Sequence, residues 1–183
     1  MDELRSDQGF IASPHRTDLP TQMPEIPSHI LFRSATNDDR ERIEKLVFGV
    51  LAEYELKPDP AATDSDLQDI EGMYLRRGGM FEIVEDADGA LLGTVGLYPV
   101  NEETCELRKM YFVPEARGKG LGRYVLERAV ESARRLGFRR ITLETASVLE
   151  EAIRLYTRFG FRPFAQSHLS ARCDQAYYYN LLP

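Results

Sequence analysis

The chain is short of the residues that build metal centres and disulfide frameworks. Its 183 residues include two cysteines and three histidines. Cys105 and Cys173 stand far apart with no CxxC spacing, which reads as two buried thiols and not as a disulfide. His15, His29 and His168 form neither HxxxH nor HExxH, so the pattern offers no metal site. Long apolar runs are missing as well. None approaches the roughly 20 residues that cross a bilayer, so no membrane contact is expected. The first residues, MDELRSDQGF, lack the basic and apolar regions of a secretory leader, which leads to the expectation of a cytoplasmic protein. Positive charge is scarce too: 23 Lys and Arg against 30 Asp and Glu leave a net charge of −7, which argues against general nucleic-acid binding.

What is present points to one globular domain. Hydrophobic residues make up 43%, and the length suits a single core with a tail. Residues 1–28 carry Pro14, Pro20, Pro24 and Pro27 without apolar periodicity and read as a flexible N-terminal tail, leaving 29–183 as the domain. A short strand over 30–33 comes first. A helix capped by Thr36 or Asn37 follows, with Ile43, Leu46, Val47, Val50, Leu51 and Tyr54 at helical spacing. A second helix is predicted from Thr63 or Asp64 to about Arg77, with Leu67, Ile70 and Tyr74 inward. The period then changes to two. Strands over 80–85, 91–100 and 104–112, joined by an Asp88-Gly89 turn and an Asn101 turn, predict an antiparallel meander.

Beyond Gly118 the order is loop, helix, strand, helix, strand. A helix to about Leu136, a strand over 140–145 and a helix over 149–159 burying Ala152, Ile153, Leu155 and Phe159 are expected, then strands over 161–164 and 176–182. The fold class is α/β, with a mixed, mostly antiparallel central sheet flanked by helices. In the last strand Tyr177, Tyr178 and Tyr179 alternate faces, one of which is open to a homodimer partner.

The segment 106–122, ELRKMYFVPEARGKGLG, runs from a strand through a proline turn into three glycines and a helix N-terminus. Unpaired amides at such a terminus bind phosphate. No Gly-Lys is followed by Ser or Thr, which excludes a Walker loop. The dinucleotide pattern GxGxxG fits Gly118 and Gly120 but fails at Arg123, and residues 113–117 separate the strand from the glycines. Eight basic residues against three glutamates lie between Glu115 and Arg140. Arg117, Lys119 and Arg123 flank the loop, where they would hold a polyanion.

Three features together resemble the GNAT acyltransferase superfamily. Residues 117–122, RGKGLG, match its R/Q-x-x-G-x-G/A signature. Met110 to Pro114 match the apolar-x-Val-x-Pro end of the preceding strand, and AIRLYTRFGF at 152–161 matches the later A-x-x-L-Y-x-x-x-G-F. The resemblance implies an acetyl-CoA-dependent N-acetyltransferase with acetyl-CoA as acyl donor and an amine as acceptor. The CoA pyrophosphate would lie on Gly118, Lys119, Gly120, Leu121, Gly122 and Arg123, with Arg117 beside it. Pantetheine would pair with Met110, Tyr111 and Phe112, an amide there polarising the thioester, a role often worth about 3 kcal/mol. Tyr156 falls where many members protonate the thiolate. Glu106 and Glu144 both occupy positions that carry the base in some branches, Glu106 lying nearer the pattern of small-amine acetyltransferases. One departure is Leu149, where many members have an Asn contacting CoA; Ser147 is an alternative for that contact.

Neither cysteine has a partner base, which favours direct transfer to the amine. The acceptor is expected to be a small amine, amino acid or polyamine, attracted by acidic residues such as Glu53, Glu55, Asp59, Asp64 and Asp66. A peptide or protein N-terminus or lysine is the second enzymatic reading. A module that binds acyl-CoA without turnover belongs to a different class.

Overall fold

The computed structural model describes residues 29–181; the expected tail over 1–28 lies outside the described residues. Seven strands form one sheet in the order β1-β2-β3-β4-β5-β7-β6. Strands β2 (Met80–Glu85), β3 (Leu91–Pro99) and β4 (Thr104–Phe112) make the predicted antiparallel meander, and β1 (Leu31–Ser34) pairs antiparallel with β2. β5 (Arg140–Thr145) joins it in parallel, and β7 (Gln175–Asn180) and β6 (Arg162–Pro163) complete the sheet antiparallel. The meander needs only tight turns, whereas the parallel step from β4 to β5 requires a crossover, supplied by α2 (Leu121–Arg135).

Alternation along β2 sends side chains into two cores. Met80 and Val84 pack under α2 with Val125, Leu126 and Ala129. Phe81 and Ile83 pack on the opposite face under α1 (Arg40–Glu53), with Ile43, Val47 and Leu51. All six β2 residues are buried. Such apolar side chains each contribute about 1.5–3 kcal/mol on burial. Glu82 is tolerated there because Arg128 of α2 brackets its carboxylate at 2.7 and 2.8 Å. At the start of α1 the Thr36 amide donates to Asp39 at 3.0 Å, which ties the helix entry.

Three expectations need correction. The continuous second helix is two short turns, a 3-10 segment Ser65–Asp69 and a π turn Glu71–Leu75. Side chains replace the helical ladder there: Asp69 accepts from the Gly72 amide and from Asn37, both at 2.9 Å, and Asn37 accepts from the Glu71 amide at 3.2 Å. Leu67, Ile70 and Tyr74 are nevertheless fully buried. The strand over 161–164 shrinks to Arg162–Pro163, because proline has no amide to extend a ladder. In α3 (Glu150–Phe159), Ala152, Ile153, Leu155 and Phe159 are half-buried, and Tyr156 is the buried residue.

Gly96 of β3 lies under an edge-to-face pair, Tyr74 and Phe81, with ring centroids 4.9 Å apart. A β-carbon at Gly96 would sit 2.7 Å from Tyr74 and 3.1 Å from Phe81. Gly96→Ala is therefore expected to destabilise the fold by about 1–3 kcal/mol, seen as a lower urea midpoint at constant slope. An unchanged midpoint would show that the two rings yield freely.

Candidate functional site

β4 and β5 pair over only three positions, Thr104 with Arg140, Cys105 with Ile141 and Glu106 with Thr142. Beyond Glu106 the strands part, and that side of β4 has no strand neighbour among the described residues. A cavity of about 700 Å³ opens at the fork. It is lined by β4 from Glu106 to Phe112, by the glycine loop, by the inner side of α3 and by residues 62–66.

At one end lies the loop. The 3-10 turn Pro114–Ala116 leads into Gly118 and Gly120, whose φ angles of 72° and 81° are left-handed. Glycine adopts that region without the strain other residues meet. Gly120 caps α2, and the amides of residues 118–123 have no hydrogen-bond acceptor among the described residues. Six successive free amides at a helix N-terminus fit a pyrophosphate. Gly118, Gly120, Gly122 and Arg123 line the cavity, whereas Lys119 is exposed beside it and Leu121 is buried in the core. Arg117 is already engaged. It donates to the Phe112 carbonyl at 2.8 Å and to both Glu53 oxygens at 2.6 and 3.1 Å, bracing the turn against the end of α1. Arg123 donates to Glu127 one turn along at 2.8 Å.

At the middle are Met110, Tyr111, Phe112 and Tyr156, all lining the cavity. Burial pushes the Tyr156 phenol well above its ordinary pKa, so it stays protonated through the neutral range. Burial likewise pushes Tyr111 up to about 12. Leu149 lines the cavity, and the hydroxyl of Ser147, the alternative for a CoA contact, donates to Asp174 at 2.6 Å.

The two candidate bases differ in their surroundings. Burial raises the Glu106 carboxyl above the usual carboxylate range, against the opposing pull of Arg108, which donates to Glu106 Oε2 at 2.5 Å. Its Oε1 receives no hydrogen bond from the described residues. Glu144 also lines the cavity, but its oxygens accept from Gln166 at 2.6 Å, from the Ser170 amide at 2.9 Å and from the Ser170 hydroxyl. Glu144 thus holds the segment ahead of β7.

The far wall contains residues that the sequence analysis did not single out: Tyr98, Arg108 and Arg172, with Arg158 on α3. Arg108 had one legible signal, its place two residues after Glu106 on the same strand face. The wall is fixed by buried charge. Lys109 sits at a bulge in β4 with φ of 52°, unusual for a side-chain-bearing residue. Its ammonium donates to the Thr63 carbonyl at 3.0 Å and to Asp64 at 2.8 Å, and lies 3.2 Å from Asp66. Arg172 brackets Asp64 from the other side at 2.8 and 2.6 Å. Burial would raise the Asp64 carboxyl, but Arg172 and Lys109 outweigh it and bring it down to about 2. Asp66 accepts the Tyr74 hydroxyl at 2.5 Å. Cys173 is half-buried at the same wall, its thiol pushed up to about 11 by burial.

The profile of the Acetyltransferase (GNAT) family matches residues 46–161. An "Uncharacterized N-acetyltransferase YjgM" of Escherichia coli K12 is 38% identical over 140 residues, covering 74% of this chain and 83% of that protein. A GNAT-family acetyltransferase of Staphylococcus aureus superposes with a TM-score of 0.78 at 22% identity, over 84% of this chain and 99% of that one. A spermidine N-acetyltransferase of Vibrio cholerae, solved in complex with CoA and spermine, gives 0.63 at 22% identity, over 85% and 97%. With its forked sheet, free-amide loop and matched relatives, the chain belongs to the GNAT acetyltransferase family and is an acetyl-CoA-dependent N-acetyltransferase.

Proposed function

We propose that the chain moves an acetyl group from acetyl-CoA directly to the primary amine of a small molecule, with Glu106 as base and Tyr156 as acid. The observation that carries this reading is that Glu106, with one oxygen unengaged among the described residues, and the buried Tyr156 line one cavity with the glycine loop. Glu106 has an oxygen that accepts no hydrogen bond among the described residues, and burial raises its carboxyl above the usual carboxylate range, the direction that strengthens a base. Tyr156 is buried and keeps its proton, as an acid requires. The free amides of 118–123 would hold the pyrophosphate, and the unpaired edge of β4 near Met110 to Phe112 would receive pantetheine.

An amine with a pKa near 10 arrives as an ammonium ion. Glu106 takes the first proton, the neutral nitrogen attacks the thioester carbon, and the C–S bond breaks as the amide forms. Two protons leave the nitrogen overall: one replaces the proton that Tyr156 gives to the thiolate, and one passes to solvent. A covalent intermediate on cysteine is disfavoured. Cys105 is buried and its thiol is pushed up to about 12, and Cys173 also stays protonated, so neither is a ready thiolate.

The testing experiment is thiol release from acetyl-CoA against a panel of amines, amino acids and peptides. Acetyl-CoA binding with no release for any acceptor would replace the enzyme reading with that of a binding module. Tyr156→Phe is expected to lower kcat by roughly 10²-fold with little change in acetyl-CoA affinity; an unchanged kcat removes Tyr156 from the mechanism. The rate should fall as pH drops through the raised Glu106 pKa, because the base is then protonated. Glu106→Gln should lower kcat and abolish this acidic limb, while Glu144→Gln keeps it; the reverse pattern would transfer the role to Glu144. Gly120→Val, which forces a branched side chain into a left-handed position, should weaken acetyl-CoA binding at least about tenfold by calorimetry. Undiminished affinity would move the pyrophosphate elsewhere.

A further inference from the structure

Glu106 and Arg108 present a pair of opposite charges to the acceptor end of the cavity, and the pair is only partly used. Arg108 Nη2 meets Glu106 Oε2 at 2.5 Å, and Glu106 is the one hydrogen-bond acceptor of Arg108 among the described residues. Its Nη1 lies 3.8 Å from Asp66, beyond hydrogen-bond reach. Its guanidinium lies over the Tyr98 ring, 4.0 Å from the centroid, which fixes its plane. The Arg108 side chain remains 30% exposed and that of Glu106 15%, both towards the cavity. A second guanidinium, that of Arg77, lies 4.7 Å from the same ring centroid and donates to the Tyr98 hydroxyl. Arg77 thus holds the Tyr98 ring, and Arg108 is the guanidinium that lines the cavity directly beside the candidate base, with Asp66 behind its Nη1.

We infer that the acceptor is an α-amino acid with an apolar side chain, its carboxylate seated on Arg108 while its ammonium faces Glu106. This deepens the proposed acetyl transfer and rests on it. A carboxylate touching a guanidinium has as its complement a zwitterion whose ammonium and carboxylate are one carbon apart. Planar guanidinium groups pair with carboxylates through two parallel N–H donors, and Arg108 has such donors to spare. A simple monoamine leaves those donors without an acceptor, and a polyamine brings a second cation against them. The spermine bound by the Vibrio cholerae enzyme is therefore not the acceptor chemistry this wall favours. The rest of the chamber suits an apolar body: Val50, Tyr54, Leu56 and Met73 line it and belong to the core on the α1 side or pack against it.

In the transfer, the ammonium gives a proton to Glu106 and the nitrogen bonds to the acetyl carbon. The C–S bond breaks, the thiolate is protonated, and the product is an N-acetyl amino acid. Arg108 keeps its charge throughout and acts by orienting the acceptor.

The test compares L-methionine, L-leucine and L-phenylalanine with their decarboxylated amines, with spermidine, and with peptides bearing the same N-terminal residues. The expected result is a kcat/KM for the amino acids about 10- to 100-fold above that of their decarboxylated amines, as a charge-assisted pair provides. Arg108→Met should collapse that ratio towards one through the KM of the acids, with the KM for acetyl-CoA unchanged, and Arg108→Lys should restore part of it. Decarboxylated amines, spermidine or peptides used as well as the amino acids would overturn the proposal and leave the transferase reading standing. So would a ratio that Arg108→Met does not alter. If no acceptor releases thiol, the transferase reading fails on its own, and calorimetry on the CoA-loaded protein still decides the carboxylate seat. Amino-acid binding lost in Arg108→Met supports it, and no binding to the wild type refutes it.

Discussion

The structure depends on two parallel strands that stay together for three residues and then separate. A continuous sheet would satisfy the backbone of β4 on both sides and close the cavity. Here the pairing stops at Glu106 with Thr142. The wedge that opens exposes peptide groups in a partly apolar interior, an arrangement that is costly unless another group satisfies them. The apolar side of α3 faces the same wedge, which is why Leu155 and Ala152 are only half covered while Tyr156 lies deeper. The unfilled amides of the glycine loop stand at the other end. These incomplete features share one cavity, so a single extended ligand completes all of them.

Holding such a wedge open requires stiff walls. The far wall is stiffened by charge, with Asp64 paired to both Lys109 and Arg172 in the interior. Buried ion pairs contribute little net stability, because desolvation offsets much of their attraction. They do penalise displacement, since moving any member leaves a buried charge without its partner. That penalty explains how Lys109 can hold a left-handed backbone at the bulge. Two of its ammonium protons are committed to Thr63 and Asp64, and its own carbonyl accepts the Thr94 hydroxyl at 2.6 Å. The bulge in turn changes which way Met110 and Tyr111 face, immediately beside the fork.

Legibility in the sequence followed the range of the interactions. The meander, the crossover helix and the glycine loop rest on neighbours a few residues apart, so periodicity and turn chemistry located them closely. Glu106 was singled out by the resemblance alone, as a position that carries a base in some branches, and it lies at the fork, on the last pair of β4 with β5. The helix expected at 63–77 failed because the bonds that break it join Asp69 and Glu71 to Asn37, more than thirty residues away. Arg117 read as a ligand group from its place in the signature, and only the approach of Glu53 in space shows its engagement. The far wall of the cavity was the least legible part, since Arg172 and Asp64 are 108 residues apart and neither stands in a recognisable local pattern.

That last distance also sets an order of assembly during synthesis. A ribosome releases Asp64, then Lys109, and only much later Arg172. Until the final strands emerge, Asp64 can share one buried cation with Asp66 but cannot be closed from its other side. The glycine loop and α2 can pack on β2 and β3 earlier, although their core is completed only by Phe161, Tyr177 and Leu181. The far wall of the cavity, closed by Arg172, is therefore among the last parts of the molecule to be completed as the chain is made.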